Sequence, residues 1–419
     1  MLKWIQGGIS SVTGIAEPEY GPECIHSCTT RVSNKQSFNE AVADDFKWQS
    51  PENTHVETST FYFTDLKKGY NGFAQIIHSN IGGIHTTAQF TFKLYKYKNY
   101  DASKAGDFTL SEDELAEASK DFETIWTSTK LSNFRIEGKN FFADNLSIEW
   151  ISDTEVHFKS AVNPASVIDL VFVQEAPSVK VGVDPHTYYG DNLEAPWGSM
   201  SHVFRPRNKV TGSIKTTTNS GAEIVLDKEY TKGMFVMALQ GMKPHHAAKA
   251  WKFINFQNQH YSVVLMEFTT PKSYANTVVS IAIVAKDDKI VSVPVMNDCR
   301  MLELTTDDAG WGVPKSINFQ LNGFDASLND SEVETKGIAG LETFEISGTL
   351  TELTERVDVM NEMPQFVKNI VSGVAGTKPY IYQFYSQDLL LKLPNEEKPQ
   401  TGPCWFETTY IVDEEVPQQ

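Results

Sequence analysis

Apolar and polar residues alternate along most of this chain with a period of two, which is the period of β-strands. Phe90, Phe92 and Leu94, for example, are separated by more polar neighbours. The same pattern predicts strands at Asn145–Ile151, Thr154–Ser160, Val167–Val173, Met234–Gln240, Ala250–Phe256, Tyr261–Thr270, Thr277–Lys286, Lys289–Val295, Ile317–Leu321, Thr343–Leu350 and Tyr380–Tyr385. Turn residues separate these short strands. The strands do not alternate with helical segments. We therefore predict an all-β, mainly antiparallel protein whose sheets close into barrels.

The first sixteen residues have the 3.6-residue period of an amphipathic helix instead. The polar face carries Lys3 as its only side-chain charge, and Glu17 and Pro18 end the pattern. Residues 1–18 are therefore predicted to form a helix that lies in a membrane surface and binds it reversibly through apolar contact. The predicted membrane-binding residues are Leu2, Trp4, Ile5, Ile9, Val12 and Ile15.

Other targeting signals fit this segment less well. A secretory signal needs a longer apolar stretch and a cleavage site, and a mitochondrial transit peptide would contain arginine, which is absent before Arg31. A helix that docks on the protein's own barrel and closes its mouth remains an alternative. Two more segments have a helical pattern, Ser111–Glu123 and Met363–Val374. The first is acidic and is interpreted as a solvated surface insertion.

The net charge limits the possible partners. The 419 residues carry a formal charge of −18 and the isoelectric point is about 5.0. Nucleic acids and anionic lipid surfaces both attract clustered basic residues, so we expect no nucleic-acid binding and expect membrane attachment to be hydrophobic. No apolar run reaches the length of a membrane-spanning helix.

Cysteine usage favours the cytosol, because four cysteines in a chain of this length give no evident disulfide framework. Cys24, His26 and Cys28 lie close together, but their spacing is not that of a zinc site and no second Cys/His pair follows. The sequence therefore predicts no metal and no cofactor.

The chain contains what looks like an internal repeat. Gly72 and Gly233 are 161 residues apart, and the same offset relates His85 to His246 and Phe90 to Trp251. This predicts a tandem duplication of one small barrel of about eight strands. The domains are predicted at residues 19–208 and 209–419. The basic cluster at 205–209 is interpreted as a linker or surface turn, with a lipid head-group contact left open.

Catalytic motifs are absent from the sequence: it contains no nucleophile elbow and no phosphate-binding loop. His245 and His246 are adjacent, whereas a metalloprotease needs two histidines four residues apart with a glutamate. We therefore predict no catalytic residues.

Four segments of the chain resemble one known family over essentially the whole length. They read MLKWIQGGISSVTGIAEPEYGPE, TFYFTDLKKGYNGFAQIIHSNIGGIHTTAQFTFKLY, PWGSMSHVFRPRN and HHAAKAWKFINFQ, and they are similar to fungal survival factor 1 proteins. The resemblance implies two tandem lipocalin-like, calycin-type β-barrels behind an N-terminal amphipathic helix. It further implies a non-enzymatic carrier of ceramide between endoplasmic reticulum and Golgi membranes, which supports sphingolipid homeostasis and survival under oxidative stress.

Several expectations depend on this resemblance. The protein is expected to be a monomer in the cytoplasm, peripheral on Golgi and endoplasmic reticulum membranes, with the nucleus as a further location. The most distinctive aromatic and histidine segments make Trp197, His246 and Trp251 the candidate ligand-binding residues, with structural packing as the alternative for each. A hydratase-like or cyclase-like enzyme is the alternative function, since related two-domain calycins include such enzymes. A regulatory protein without lipid cargo is a third.

Overall fold

The computed structural model describes residues 20–83, 85–112, 114–115, 120–221, 223–362 and 377–412, which are mainly antiparallel β-structure. The first sheet contains β1 (Ile25–His26), β2 (Phe38–Glu40), β3 (His55–Asp65), β4 (Tyr70–Ile81), β5 (His85–Lys96), β6 (Ile125–Lys130), β7 (Arg135–Glu137), β8 (Asn140–Ala143), β9 (Leu146–Trp150), β10 (Glu155–Ser160), β11 (Val167–Gln174), β12 (Val179–Val181), β13 (His186–Tyr189), β14 (Gly198–Lys215), β15 (Glu223–Leu226) and β16 (Thr231–Gln240).

The second sheet contains β17 (Ala250–Gln257), β18 (Tyr261–Thr269), β19 (Val278–Lys286), β20 (Lys289–Ser292), β21 (Asp298–Leu302), β24 (Ser316–Gly323), β25 (Glu342–Thr349), β26 (Glu352–Asp358), β27 (Thr377–Lys392) and β28 (Gln400–Val412). Two short strands, β22 (Thr305–Thr306) and β23 (Gly312–Val313), pair with each other. Every strand predicted from the two-residue alternation overlaps one of these strands, which confirms the all-β prediction.

Helices in the described ranges are short: α1 (Cys28–Arg31), α2 (Pro244–Ala247), α3 (Asp330–Lys336) and α4 (Val359–Glu362). Single 3₁₀ turns cover Pro22–Cys24, Ala43–Phe46, Ala102–Lys104, Asn219–Gly221, Lys272–Tyr274 and Gly337–Gly340. None of the helices in the described part of the chain has the length and apolarity needed to cross a membrane. The predicted helices at 1–18 and Met363–Val374 lie outside the described residues, and Ser111–Glu123 lies only partly within them.

The two sheets repeat one topology. In the first, the order is β6-β5-β4-β3-β16-β14-β11-β10, and in the second it is β20-β19-β18-β17-β28-β27-β25-β24. Each unit thus begins with a meander, and its first long strand pairs with its last, β3 with β16 and β17 with β28. This is the order of two tandem calycin-like barrels, as predicted.

The predicted 161-residue offset between the copies is wrong, because it matches β4 with β16 and β5 with β17. Strands β4 and β5 pair with each other, whereas β16 and β17 lie in different sheets. Gly72 and Gly233 are alike for another reason: both stand opposite Phe63, one on each neighbouring strand. A Cβ atom on Gly72 would lie 2.8 Å from the Phe63 ring, so glycine leaves room for that ring.

Strand β14 corrects two further expectations. The basic cluster at 205–209 is neither a linker nor a surface turn, because it lies within this strand, where Arg205 and Arg207 are buried. Pro206, which has no N–H to donate, is accommodated because the pairing shifts register between Arg205 and Asn208. The predicted boundary at 208/209 therefore falls inside a strand, and the change from the first sheet to the second comes after β16.

Alternation along each strand fills three apolar clusters, one inside each barrel and one between the barrels. Phe61 on β3 points into the first barrel, where its ring stacks on Phe235 with centroids 4.3 Å apart. Its neighbour Tyr62 points the other way and stacks at 4.9 Å on Phe253 of the second barrel. Strands at the interface are therefore apolar on both faces.

Buried cations also cross the interface. Arg207 of the first barrel donates to Ser262 Oγ of the second barrel at 2.9 Å, and the Glu175 carboxylate lies 2.9 Å from its Nε. Lys93, fully buried, donates to Gln383 Oε1 at 2.8 Å. Burial lowers the pKa of Lys93 to about 8.

Candidate functional site

The three predicted ligand-binding residues form two separate ring contacts beside the apolar cluster between the barrels. The ring centroids of Trp197 and His246 are 5.3 Å apart in an edge-to-face contact. Trp251 lies 6.0 Å from a fourth ring, that of His202, and 5.1 Å from Phe268. We call these five side chains the seam cluster. Trp197, His246 and Trp251 are half-buried, so the cluster opens to solvent.

Strand geometry assembles the part of the seam cluster that the sequence analysis missed. On β14, His202 shares a face with Phe204, and their rings stack 6.0 Å apart. Across the β17–β18 pair, Trp251 and Phe268 stand directly opposite each other. The imidazole of the first barrel therefore packs against a cross-strand aromatic pair of the second.

Helix α2, in the connection between the barrels, supplies the histidine doublet. Pro244 occupies its first turn, where the missing N–H costs no hydrogen bond. The helix is fixed to the first barrel because the Tyr189 hydroxyl donates to the carbonyl of Ala247 at 2.7 Å. The N–H of Trp197 in turn donates to the Tyr189 carbonyl. These bonds hold His246 against the Trp197 ring.

The histidines in and beside the seam cluster are uncharged near neutral pH. Burial lowers the pKa of His202 to about 4. Burial, together with the nearby Lys243, lowers the pKa of His245 to about 4, and burial followed by the neighbouring imidazole and Lys243 lowers that of His246 to about 3. The buried Nδ1 of His245 has no hydrogen-bond partner among the described residues. The cluster is thus an uncharged aromatic surface with one unused hydrogen-bonding atom beside it.

The described chain begins close to this surface. The Tyr20 ring lies 5.7 Å from Tyr274, which lies 5.1 Å from the ring of Tyr189. The N–H of Gly21 donates to the Ser273 carbonyl at 2.9 Å. The predicted membrane-binding residues Leu2, Trp4, Ile5, Ile9, Val12 and Ile15 lie outside the described residues. Tyr20 is therefore held near the α2 helix, whose Ala247 carbonyl accepts from the Tyr189 hydroxyl.

Other regions suit an apolar ligand less well. Inside the first barrel, the rings of Phe158 and Phe172 surround the Phe61–Phe235 stack at 5.0–5.2 Å from Phe61, so this level is filled by side chains. A cleft of about 830 Å³ lies between the segment 28–39 and residues 328–331, but its lining includes several charged side chains, among them Arg31, Lys35, Asp184 and Asp330.

The cysteine and histidine group near the N-terminus does not converge. His26 Nε2 lies 3.1 Å from the Gly190 carbonyl oxygen, whereas the thiol of Cys28 accepts from the Thr187 hydroxyl. A different group of ligand-type residues meets inside the first barrel: His55, Glu57 and His78. The sequence analysis missed this group. A signal existed, because His55 and Glu57 are polar residues on the same face of the strand as the apolar Phe61.

Comparison with known proteins identifies the family. The model of the Svf1 family matches residues 2–412. The chain belongs to the Svf1 family. Among its relatives, the "Ceramide-binding protein SVF1" of Kluyveromyces lactis is 52% identical over 99% of this chain and 97% of its own. The proteins of that name from Candida albicans and Schizosaccharomyces pombe are 46% and 36% identical, over 99% and 98% of this chain and 100% of their own lengths.

Solved structures share the fold of this Svf1-family chain at low identity. A crystal structure of CghA has a TM-score of 0.58 at 10% identity, over 94% of this chain and 99% of that chain. A putative AttH from Nitrosomonas europaea has a TM-score of 0.52 at 10% identity, over 88% of this chain and 96% of that chain. At this identity the likeness establishes the two-barrel fold alone.

Proposed function

We propose that this protein binds a ceramide-type sphingolipid at the seam cluster and carries it between endoplasmic reticulum and Golgi membranes. The main support for the proposal is that this chain is similar, over nearly its full length, to relatives that are named ceramide-binding proteins. The structure adds an uncharged aromatic surface beside the apolar cluster between the barrels.

The chemistry of the seam cluster suits such a lipid. A ceramide has two long alkyl chains and a polar group with an amide and hydroxyls but no charge. Each methylene removed from water contributes about 0.8 kcal/mol, so the chains supply most of the affinity. The ring of Trp251 offers an apolar contact, and the imidazoles of His245 and His246 offer hydrogen bonds without a charge that would require a counter-ion.

Membrane contact is the second part of the proposal. A helix over residues 1–16 would be about 24 Å long. We propose that it lies near the seam cluster, because Tyr20, the first described residue, packs on Tyr274 close to the α2 helix. With its apolar face in a membrane, this helix brings the cluster to the lipid surface. When the protein leaves the membrane, the same face is available to cover the lipid. Since the net charge is −18, attachment depends on apolar contact rather than on charge.

We further propose that the protein is a carrier and not an enzyme. Its relatives are named for binding. Beside the seam cluster, the imidazoles of His245 and His246 adjoin each other with centroids 4.1 Å apart. Among the described residues, neither imidazole is hydrogen-bonded to a carboxylate as the histidine of a catalytic triad is. The lipid recovered from the protein is therefore expected to be chemically identical to the lipid supplied.

A vesicle assay tests the carrier function. The full chain is incubated with donor vesicles that contain labelled ceramide and with unlabelled acceptor vesicles, and we expect protein-dependent transfer of unmodified ceramide. Ile5→Glu should abolish transfer and vesicle binding while ceramide capture from detergent persists. Gln6→Glu adds the same charge on the polar face of the predicted helix and should leave both intact. Transfer that is unaffected by Ile5→Glu would refute the membrane part, and absence of ceramide capture would refute the binding part.

A further inference from the structure

Three metal-ligand side chains converge inside the first barrel, on the opposite face of its sheet from His202 of the seam cluster. His55 and Glu57 lie on β3 and His78 on β4, and Glu57 stands directly opposite His78 in the strand pairing. All three are buried, with 1%, 1% and 4% of their surface exposed. Positions 55 and 57 share the interior face of β3 with Phe61, whereas the opposite face of that strand packs on the second barrel.

The distances suit a small cation. His55 Nε2 lies 3.3 Å from His78 Nδ1 and 3.9 Å from Oε2 of Glu57. One ligand atom from each residue lies within 4.8 Å of the others. In a tetrahedral site with metal–nitrogen bonds of 2.0–2.1 Å, neighbouring ligand atoms are about 3.3 Å apart. The two imidazole nitrogens already have this separation, and the carboxylate needs only a small shift.

Groups around the cluster orient its ligands. His55 Nδ1 lies 3.0 Å from the carbonyl oxygen of Asn53, which only accepts hydrogen bonds, so in the neutral ring Nδ1 carries the proton and the Nε2 lone pair faces the cluster. The Glu57 carboxylate accepts hydrogen bonds from the backbone N–H groups of Gln49 and Ser50. Its oxygens keep further lone pairs for a cation. Such outer contacts are typical of metal sites.

Aromatic side chains surround the cluster. The rings of Trp48 and Phe134 lie 6.1 and 5.6 Å from that of His78 and complete an apolar shell.

We propose that His55, Glu57 and His78 bind one zinc-class divalent cation, with a water molecule as the fourth ligand. Two imidazoles and one carboxylate favour zinc or a similar transition metal over calcium and magnesium, which prefer oxygen ligands. This site is independent of the proposed lipid function. It also departs from the sequence-based expectation that the chain has no metal site.

Cobalt titration tests the proposal. The full chain is treated with chelator, dialysed and titrated with Co²⁺, and we expect one equivalent to bind with the visible absorption of a four-coordinate site and to be displaced by Zn²⁺. His78→Phe keeps a ring in the aromatic shell and should weaken binding by more than about 100-fold, since even outer-contact changes weaken metal sites 10- to 100-fold. Glu57→Gln provides a second variant if His78→Phe does not fold.

The matched control is His157→Phe on β10, a histidine whose side chain is 25% exposed and contacts a carboxylate, that of Asp169, at 2.5 Å. It should leave the Co²⁺ signal unchanged, and circular dichroism should show that each variant is folded. Zn²⁺ should also raise the melting temperature of the parent and of His157→Phe but not that of a folded His78→Phe. A parent chain that binds no Co²⁺, or a folded His78→Phe that binds it equally well, would overturn the proposal and leave the two imidazoles as a hydrogen-bonded pair.

Discussion

Acidification is expected to destabilise the seam cluster, and His202 provides the sharpest test. Its side chain is 4% exposed and burial lowers its pKa to about 4, whereas an unfolded histidine has a pKa of about 6.5. Below pH 6.5, His202 therefore becomes protonated in the unfolded chain but stays neutral in the folded chain until the pH approaches 4. The stability that depends on the neutral ring is complete above pH 6.5 and is lost as the pH falls from 6.5 towards 4.

The size of this effect follows from the two pKa values. At pH 5, preferential protonation of the unfolded state at His202 lowers the free energy of unfolding by about 2 kcal/mol relative to pH 8. Other groups titrate over the same range, so a variant is needed to isolate this contribution. His202→Phe removes the titration and keeps a ring in contact with Trp251 and Phe268.

Urea unfolding at pH 8 and pH 5 measures the difference. We expect the loss of stability between these pH values to be about 2 kcal/mol smaller for His202→Phe than for the parent. His260→Phe serves as the control for replacing a histidine by phenylalanine at an exposed position, because the His260 side chain is 54% exposed. If His202→Phe keeps the full pH dependence of the parent, His202 is not a buried neutral imidazole and the description of the seam as uncharged is wrong.

The remaining predictions concern packing and are measured by urea unfolding at pH 8. Arg207→Met should lower the free energy of unfolding by about 3–5 kcal/mol, because it breaks a buried ion pair, whereas Lys209→Met, with 48% of the side chain exposed, should cost less than about 1 kcal/mol. Phe61→Ala should cost about 3–5 kcal/mol by emptying space in the first barrel, whereas Ile151→Ala at an exposed position should change stability by less than about 0.5 kcal/mol. Tyr385→Phe should be neutral or stabilising, because the buried Tyr385 hydroxyl has no hydrogen-bond partner among the described residues; a loss above about 1 kcal/mol would contradict this.

The strands were predictable because their signal is local. Alternation within a few residues marks strands such as β5 and β10 whatever their partners are. Strand pairing is not local: β3 pairs with β16 and β17 with β28 across most of each unit. The repeated glycines at 72 and 233 therefore suggested a wrong offset, since they lie opposite Phe63 on the two strands that flank β3 rather than at equivalent places in two barrels.

Strand β14 was missed for a related reason. Arginines beside Pro206 have the composition of a surface turn. The partners that allow these arginines to be buried are supplied only by the tertiary structure. Glu175 and Ser262, which contact Arg207, come from distant parts of the sequence. Burial of a charge depends on such partners, so no local pattern identifies it.

The candidate site was partly predictable. Trp197, His246 and Trp251 stood out as rare aromatic and imidazole residues, and the structure places them in two ring contacts beside the apolar cluster between the barrels. His202 and Phe268 join them only through strand pairing and packing between the barrels. For the group inside the first barrel a local signal existed, since polar residues at apolar-face positions of a strand require a structural or functional explanation.

Native mass spectrometry of the full chain, incubated with ceramide and then separated from free lipid, tests the central claim most directly. We expect one ceramide bound per chain, much reduced occupancy for Trp251→Ala, and unchanged occupancy for the control Trp311→Ala, whose ring stacks on Tyr410 against the core of the second barrel. A chain that retains no ceramide, or one whose occupancy is unchanged by Trp251→Ala, would contradict the account.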